Sequence, residues 1–337
     1  MKAFAQVAVL GGGAWGTALA VHLATRSHVR PKVTLYLRSP AQARDCLAAR
    51  ENRRYLPRVT LPPSLAITSS LTDVADAELL IAATPVAGLL PLVQALHATA
   101  IAAPLMALSK GFVATPHGSA TWSLPHQAIG PQWRHPVGTV TGPTFAVEVA
   151  QGLPTALVVG STDAGLTAAV AALLRSDTLR AYPSDDLAGI EVGGAVKNVF
   201  AIAAGASDAL GFGDNARAAL ITRGLAESGR LSAALGGRRE TLMGLAGLGD
   251  LVLTCTGNLS RNRRVGLGLA RGQPLAAIVA EIGHVAEGIE AARATRDLAR
   301  EFALDMPIVD AVHRVLYEGV APHDAVLALL GRGPKGE

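Results

Sequence analysis

The stretch Val7-Ala8-Val9-Leu10-Gly11-Gly12-Gly13-Ala14-Trp15-Gly16 decides the fold. A short apolar run stops at a glycine cluster, and Thr17–Thr25 then reads as a helix. Residues 11–16 have the spacing G-x-G-x-x-G, a weak signal alone. Here it follows a strand and opens a helix at the start of a βαβ unit, which is the context it requires. Gly11 permits the tight turn, Gly13 lets the backbone come up to a pyrophosphate, and Gly16 lets helix and strand pack closely. The pyrophosphate would rest on the helix N-terminus, where free N–H groups and the dipole attract an anion. Gly11, Gly13, Ala14, Trp15 and Gly16 are therefore candidate cofactor contacts. A glycine turn with no ligand is the alternative.

Outward from this unit the pattern repeats. Val33–Leu37, Leu79–Ala83, Leu105–Leu108, Val137–Val140 and Ala156–Val159 read as strands, the last closing the series. Strands alternating with helices imply a parallel sheet covered on both faces. Leu79–Ser109 holds no Asp, Glu, Lys or Arg, but Pro85, Gly88, Pro91 and Pro104 break it. It reads as strand, short helix and strand; the roughly 20 unbroken apolar residues of a membrane span are absent. Beyond Leu187 the pattern changes. Ile190–Leu210, Ala216–Leu235, Val265–Ala270, Ala286–Phe302 and Pro307–Leu316 read as helices, and no strand is expected past Tyr182. The expectation is an α/β Rossmann-like domain with a predominantly parallel sheet over residues 1–188, and an all-α substrate and catalytic domain over 189–337. Gly331–Glu337 reads as a frayed tail.

The bulk numbers agree. At 337 residues the chain has room for two domains of about 150 residues. Half the residues are apolar and only 4% aromatic; small residues suit closely layered helices and sheets. The formal charge of +4 is modest and dispersed, which fits an anionic small ligand better than nucleic acid. Cys46 and Cys255, far apart in sequence, make no disulfide framework and no metal-ligand spacing; a single disulfide is the alternative to the reduced cytoplasmic protein that is expected. No secretory leader is read, because the apolar run starting near Gln6 turns to glycine by Gly11.

Cofactor preference should be set at the end of the second strand, where an NAD-preferring site usually places an acid. Val33-Thr34-Leu35-Tyr36-Leu37-Arg38-Ser39 has Arg38 there instead. A guanidinium can bind a 2′-phosphate bidentately, so NADP(H) is favoured, with NAD(H) the other candidate. A solvated surface arginine is the alternative.

In the second half, Glu191-Val192-Gly193-Gly194-Ala195-Val196-Lys197-Asn198 opens the long helix. Helical spacing puts Gly193, Gly194, Lys197, Ala201 and Ala204 on one face, leaving room for a ligand beside the lysine. Burial there would lower its pKa. Taken alone, a snorkelling lysine at the domain edge is the commoner reading. Gly247-Leu248-Gly249-Asp250-Leu251 offers Asp250, which serves equally well as an N-cap. In Ser260-Arg261-Asn262-Arg263-Arg264, Ser260 reads as an N-cap with Arg261 and Asn262 in the first turn. A cation there opposes the helix dipole unless an anion is bound. Three solvated arginines are the alternative.

At these residues the chain closely resembles the bacterial-type NAD(P)-dependent glycerol-3-phosphate dehydrogenases. Gly11–Ala18, Glu51–Pro57 (ENRRYLP), Lys110-Gly111, Gly142–Val149 (GPTFAVEV), Gly189–Gly205, Gly213–Leu225, Gly244–Thr256, Ser260–Arg264 and Met306–Gly319 carry the resemblance, which runs nearly end to end. It implies that Lys197 is the general acid/base and that Lys110 meets both cofactor and substrate. It further implies that Gly142, Thr144, Asp250, Ser260, Arg261 and Asn262 line the substrate site. Trp15, Arg38, Ala146, Arg261, Val285 and Glu287 would contact the cofactor. Thr144 stands where the pattern usually has serine, and His284 and Ala286 interrupt the usual run before Glu287.

The activity the resemblance implies is reversible reduction of dihydroxyacetone phosphate to sn-glycerol 3-phosphate, which supplies the phospholipid backbone. The expected partners are a small phosphorylated substrate and a second copy in a homodimer, with no nucleic acid and no membrane span. A dehydrogenase acting on a 3-hydroxy acid would have no need of the Ser260-Arg261-Asn262 terminus. A non-catalytic dinucleotide sensor would have no reason to keep Lys197, Asp250 and Arg261 together.

Overall fold

The computed structural model describes residues 4–99, 101–115, 122–283 and 286–331. The tail beyond Gly331, together with His284 and Val285, lies outside the described residues.

Twelve strands occur among the described residues: β1 Gln6–Leu10, β2 Lys32–Tyr36, β3 Glu51–Asn52, β4 Leu56–Thr60, β5 Ala66–Thr68, β6 Leu79–Ala82, β7 Leu105–Ala107, β8 Val113–Ala114, β9 Trp122–Ser123, β10 Val137–Thr141, β11 Thr155–Ser161 and β12 Leu179–Ser184. Eight of them form one sheet in the order β12-β11-β10-β7-β6-β1-β2-β5. Every neighbouring pair is parallel except β10 with β11. From β1 the chain builds outward through β2 and β5, then returns to the other side of β1 with β6, β7 and β10. That reversal opens a crevice beyond the carboxyl ends of β1 and β6, where ligands bind in such sheets.

Side-chain alternation explains why the sheet must be covered twice. Val9, Ile81 and Met106 pack on one face with Leu19 and Leu23 of helix α1 (Ala14–Thr25). Leu10, Leu80, Ala82 and Leu105 pack on the other with Leu89, Val93 and Leu96. The remaining helices of this half are α2 (Pro40–Ala49), α3 (Leu89–His97), α4 (Pro125–Ile129), α5 (Ala146–Gln151) and α6 (Ala164–Leu174). The charge-free stretch Leu79–Ser109 is β6, α3 and β7, as its prolines require.

Two edge strands depart from the expectation. β12 extends the sheet past Ala156–Val159 and runs beyond Tyr182 to Ser184. Pro183 hides it from sequence inspection, since proline removes a ladder donor; on an edge strand that loss is tolerated. β5, three residues long, was equally unforeseen at the opposite edge.

The second half holds helices and connecting loops, with no strand among its described residues: α7 (Leu187–Ala209), α8 (Gly213–Ala234), α9 (Asp250–Thr256), α10 (Arg261–Ala270), α11 (Leu275–Ile282), α12 (Glu287–Glu301), α13 (Pro307–Tyr317) and α14 (Pro322–Leu330). The Asp186 side chain caps α7 by accepting from the Gly189 N–H at 2.9 Å. α7 is the hub, packed by α8, α9, α10, α12 and α13. It is also long and apolar enough to cross a membrane, but its most apolar stretch is almost entirely buried inside the protein. Both cysteines are free and buried.

Candidate active site

Small residues on α7 let neighbouring segments reach its backbone. A Cβ on Gly193 would lie 2.5 Å from the Ala246 carbonyl oxygen, and one on Gly194 would lie 3.0 Å from Thr141 Oγ1 and 3.6 Å from Lys110 Cγ. Two segments thus converge beside Lys197. One is a single π-helical turn, Leu245–Gly249, leading into α9. The other is the carboxyl end of β10 with Lys110, which follows β7.

Their meeting places one carboxylate between two ammonium groups. Lys197 Nζ donates to Asp250 Oδ1 and, at 2.9 Å, to Thr254 Oγ1. Lys110 Nζ donates to Asp250 Oδ2 at 2.7 Å and to the Gly142 carbonyl at 3.1 Å. Lys197 is 7% exposed and Asp250 1%. Asp250 is therefore no N-cap; Gly249 holds that position, and the carboxylate binds both lysines. Burial pushes the Lys197 ammonium down to about 7, with Asp250 opposing and Lys110 adding to the shift. An amine poised there can hold or release a proton near neutrality.

A chain of amides ties this cluster to α10 and α12. Asn198 Nδ2 donates to the Lys110 carbonyl at 3.5 Å, and Asn198 Oδ1 accepts from Asn262 Nδ2 at 2.9 Å. Asn262 Oδ1 accepts from the Gly288 N–H at 3.0 Å. Next along the chain, Glu287 Oε1 accepts from the Val86 N–H at 3.4 Å, joining α12 to the loop after β6. Burial pushes the Glu287 carboxyl above the usual carboxylate range, against the pull of Arg261.

Ser260 caps α10 by accepting from the Arg263 N–H at 3.2 Å. The three arginines that follow have different surroundings. Arg263 pairs with Asp208 at 2.6 Å, and Arg264 with Glu281 at 3.1 Å. Arg261, in the first turn, is exposed; it acts electrostatically on the Glu287 carboxyl but makes no ion pair within 4 Å among the described residues. It remains the one of the three free to meet an anion at a terminus that favours anions.

The glycine loop fits a dinucleotide. Gly11 has φ +130°, and a Cβ there would meet the Ala83 carbonyl oxygen at 2.6 Å. A Cβ on Gly16 would overlap the Gly11 carbonyl, whereas one on Gly13 would meet nothing within 4 Å, so the loop opens outward there. Among the described residues no side chain caps α1, and Trp15 Nε1 and Thr84 Oγ1 are buried without a hydrogen-bond partner. Arg38 lies exposed just beyond β2, without an ion pair among the described residues.

Of the residues singled out in the sequence, Lys110, Gly142, Lys197, Asp250 and Asn262 come together in one bonded group. Thr144 joins it by donating to the Gly142 carbonyl at 3.2 Å. Ala146 opens α5, half-buried beside the first core. Arg38 stands apart, just beyond β2, and Val285 lies outside the described residues. Thr254 and Asn198 were missed. Thr254 lies one turn after Asp250 on α9, and Asn198 follows Lys197, so helical spacing could have found the first and adjacency the second.

Comparison with known proteins agrees with this geometry. The family model described as the N-terminus of NAD-dependent glycerol-3-phosphate dehydrogenase matches residues 6–167, and its C-terminal counterpart matches residues 186–327. The glycerol-3-phosphate dehydrogenase (NAD(P)+) of Paucimonas lemoignei is 51% identical, over 98% of each chain. That of Nitrosospira multiformis is 48% identical, over 98% of this chain and 99% of its own. The crystal structure of glycerol-3-phosphate dehydrogenase from Coxiella burnetii superposes with a TM-score of 0.91 at 38% identity, covering 97% of this chain and 99% of that one.

Proposed function

The chain belongs to the NAD-dependent glycerol-3-phosphate dehydrogenase family and interconverts dihydroxyacetone phosphate and sn-glycerol 3-phosphate with NAD(P); from that premise we propose that Lys197 is its general acid/base. The observation that carries this role is the buried Lys197–Asp250–Lys110 group. The nicotinamide, when bound, supplies or receives the hydride. In reduction, Lys197 as ammonium stabilises the charge growing on the C2 oxygen and donates the proton. In oxidation, neutral Lys197 takes it back. Asp250 holds Lys197 in place, and Lys110 leaves the group with net positive charge, suited to an oxyanion. Arg261 and the α10 terminus take the phosphate, whose binding energy positions the reacting carbon. Gly142, Thr144, Ser260 and Asn262 line the substrate.

Residues 1–188 form the dinucleotide-binding domain in this reading and residues 189–337 the substrate and catalytic domain. Gly11–Gly16 cradle the cofactor, with Lys110, Ala146, Arg261, Val285 and Glu287 completing its site. A cytoplasmic homodimer is part of the same reading, supported by the family resemblance; sedimentation equilibrium tests the dimer. A 3-hydroxy-acid dehydrogenase and a dinucleotide sensor are not favoured, given relatives near 50% identity over nearly the whole chain. Loss of nicotinamide absorbance on adding dihydroxyacetone phosphate to enzyme and NADPH tests the activity. No rate above background would contradict it.

NADP(H) is the preferred cofactor in this reading, because exposed Arg38 stands where a ribose-binding acid would stand. Arg38→Asp should lower kcat/KM for NADPH about tenfold, the lower end for a charge-assisted contact, and shift preference toward NADH. An unchanged NADPH value would show that Arg38 does not touch the 2′-phosphate.

A further inference from the structure

The Glu51–Pro57 stretch (ENRRYLP) has no part in the chemistry above, yet the structure folds it against the glycine loop. β3 carries Asn52, which is 1% exposed. Asn52 Nδ2 donates to the Gly12 carbonyl at 2.9 Å and to Thr17 Oγ1 on α1 at 2.8 Å. Gln42, on α2, donates to the same Gly12 carbonyl at 2.9 Å and to Asn52 Oδ1 at 3.4 Å. Two amide side chains from two separate elements thus hold one carbonyl in the middle of the G-x-G-x-x-G turn.

The consequence follows from peptide geometry. No described peptide bond is cis, so the Gly12 carbonyl and the Gly13 N–H point in opposite directions from one rigid plane. Fixing the carbonyl inward on Asn52 and Gln42 fixes the Gly13 N–H away from them, at a residue whose Cβ position is open space. Rotation of that plane would turn a carbonyl oxygen toward an incoming pyrophosphate and withdraw a donor from it. A glycine turn is free to make that rotation unless something opposes it. Here the inserted β3–β4 hairpin and α2 oppose it.

We propose that Asn52 and Gln42 are positioning residues for dinucleotide binding, clamping the Gly12 carbonyl so that the Gly13 N–H is presented to the pyrophosphate. The proposal rests on Gly11–Gly16 being the dinucleotide loop. Neither side chain touches the Lys197 cluster, so the clamp acts on cofactor affinity and leaves the chemical step alone.

The test is NADPH affinity by titration calorimetry, with melting temperature without cofactor, kcat at saturating NADPH and KM for dihydroxyacetone phosphate alongside. Asn52→Asp keeps the size of the side chain but cannot donate to a carbonyl. It should raise the NADPH Kd about tenfold, and Gln42→Ala, which leaves one donor in place, about threefold. In both, kcat and the KM for the ketone should stay within about twofold of the parent, a split that general loosening of the fold would not give. NADPH Kd values unchanged in both variants would overturn the clamp, as would parallel losses in kcat. Should Asn52→Asp fail to fold, Gln42→Ala on its half-exposed helix decides by the same criteria. Gly13→Val separates the two layers. If it weakens NADPH while the other two do not, the clamp alone is wrong; if it too is without effect, the loop assignment fails.

Discussion

Lys197→Ala is expected to abolish measurable turnover while NADPH still binds. In the proposed assignment the ammonium has two duties, stabilising charge on the C2 oxygen and exchanging the proton. General acid–base help alone contributes about 10²–10⁴-fold, and loss of the charge adds to that. The substitution also frees Asp250 from one of its two cations, leaving it with Lys110 at 2.7 Å. That remaining pair should preserve the fold of the site, so binding of NADPH at the glycine loop is a clean internal control. Turnover within a few-fold of the parent would remove Lys197 from the chemistry.

Arg261→Ala should cost the phosphorylated ketone far more than unphosphorylated dihydroxyacetone. Arg263 and Arg264 are engaged with Asp208 and Glu281. Arg261 alone among them opens α10 without an ion pair within 4 Å among the described residues, although it acts electrostatically on Glu287. A charge-assisted contact is worth about 1.5–3 kcal/mol, or roughly 10–150-fold in kcat/KM. The unphosphorylated substrate should be poor with both proteins and nearly indifferent to the change. Equal losses on both substrates would assign Arg261 to the cofactor or to Glu287, and the NADPH Kd of the variant would then distinguish these.

What the sequence reveals of this site is what local rules control. The glycine loop, the Ser260 cap and the out-of-place charge on Arg261 are each defined within a few residues, and each is found where local rules put it. The role of Asp250 was ambiguous because it depends on Lys197, 53 residues away in sequence, and on a π-helical turn that no periodicity announces. The contact that Gln42 and Asn52 share is hidden from the sequence for a related reason. Their common partner is a backbone carbonyl, which leaves no mark on the side-chain pattern at Gly12. β12 was obscured by Pro183, whose cost vanishes only once the strand is known to be at an edge. The direction of the Lys197 shift, by contrast, followed from small neighbours on its helix face, and burial is its largest cause.

The most direct test of the account is the pH dependence of sn-glycerol 3-phosphate oxidation. Lys197 must be neutral to accept the proton, and burial has brought its pKa to about 7. The rate kcat/KM should therefore rise with pH through about 7 and level off above it. The reverse reaction, which needs the ammonium, should decline with pH over the same range. An oxidation limb still rising through about 10, where an ordinary lysine titrates, or one that persists unchanged in Lys197→Ala, would contradict the assignment of the acid/base.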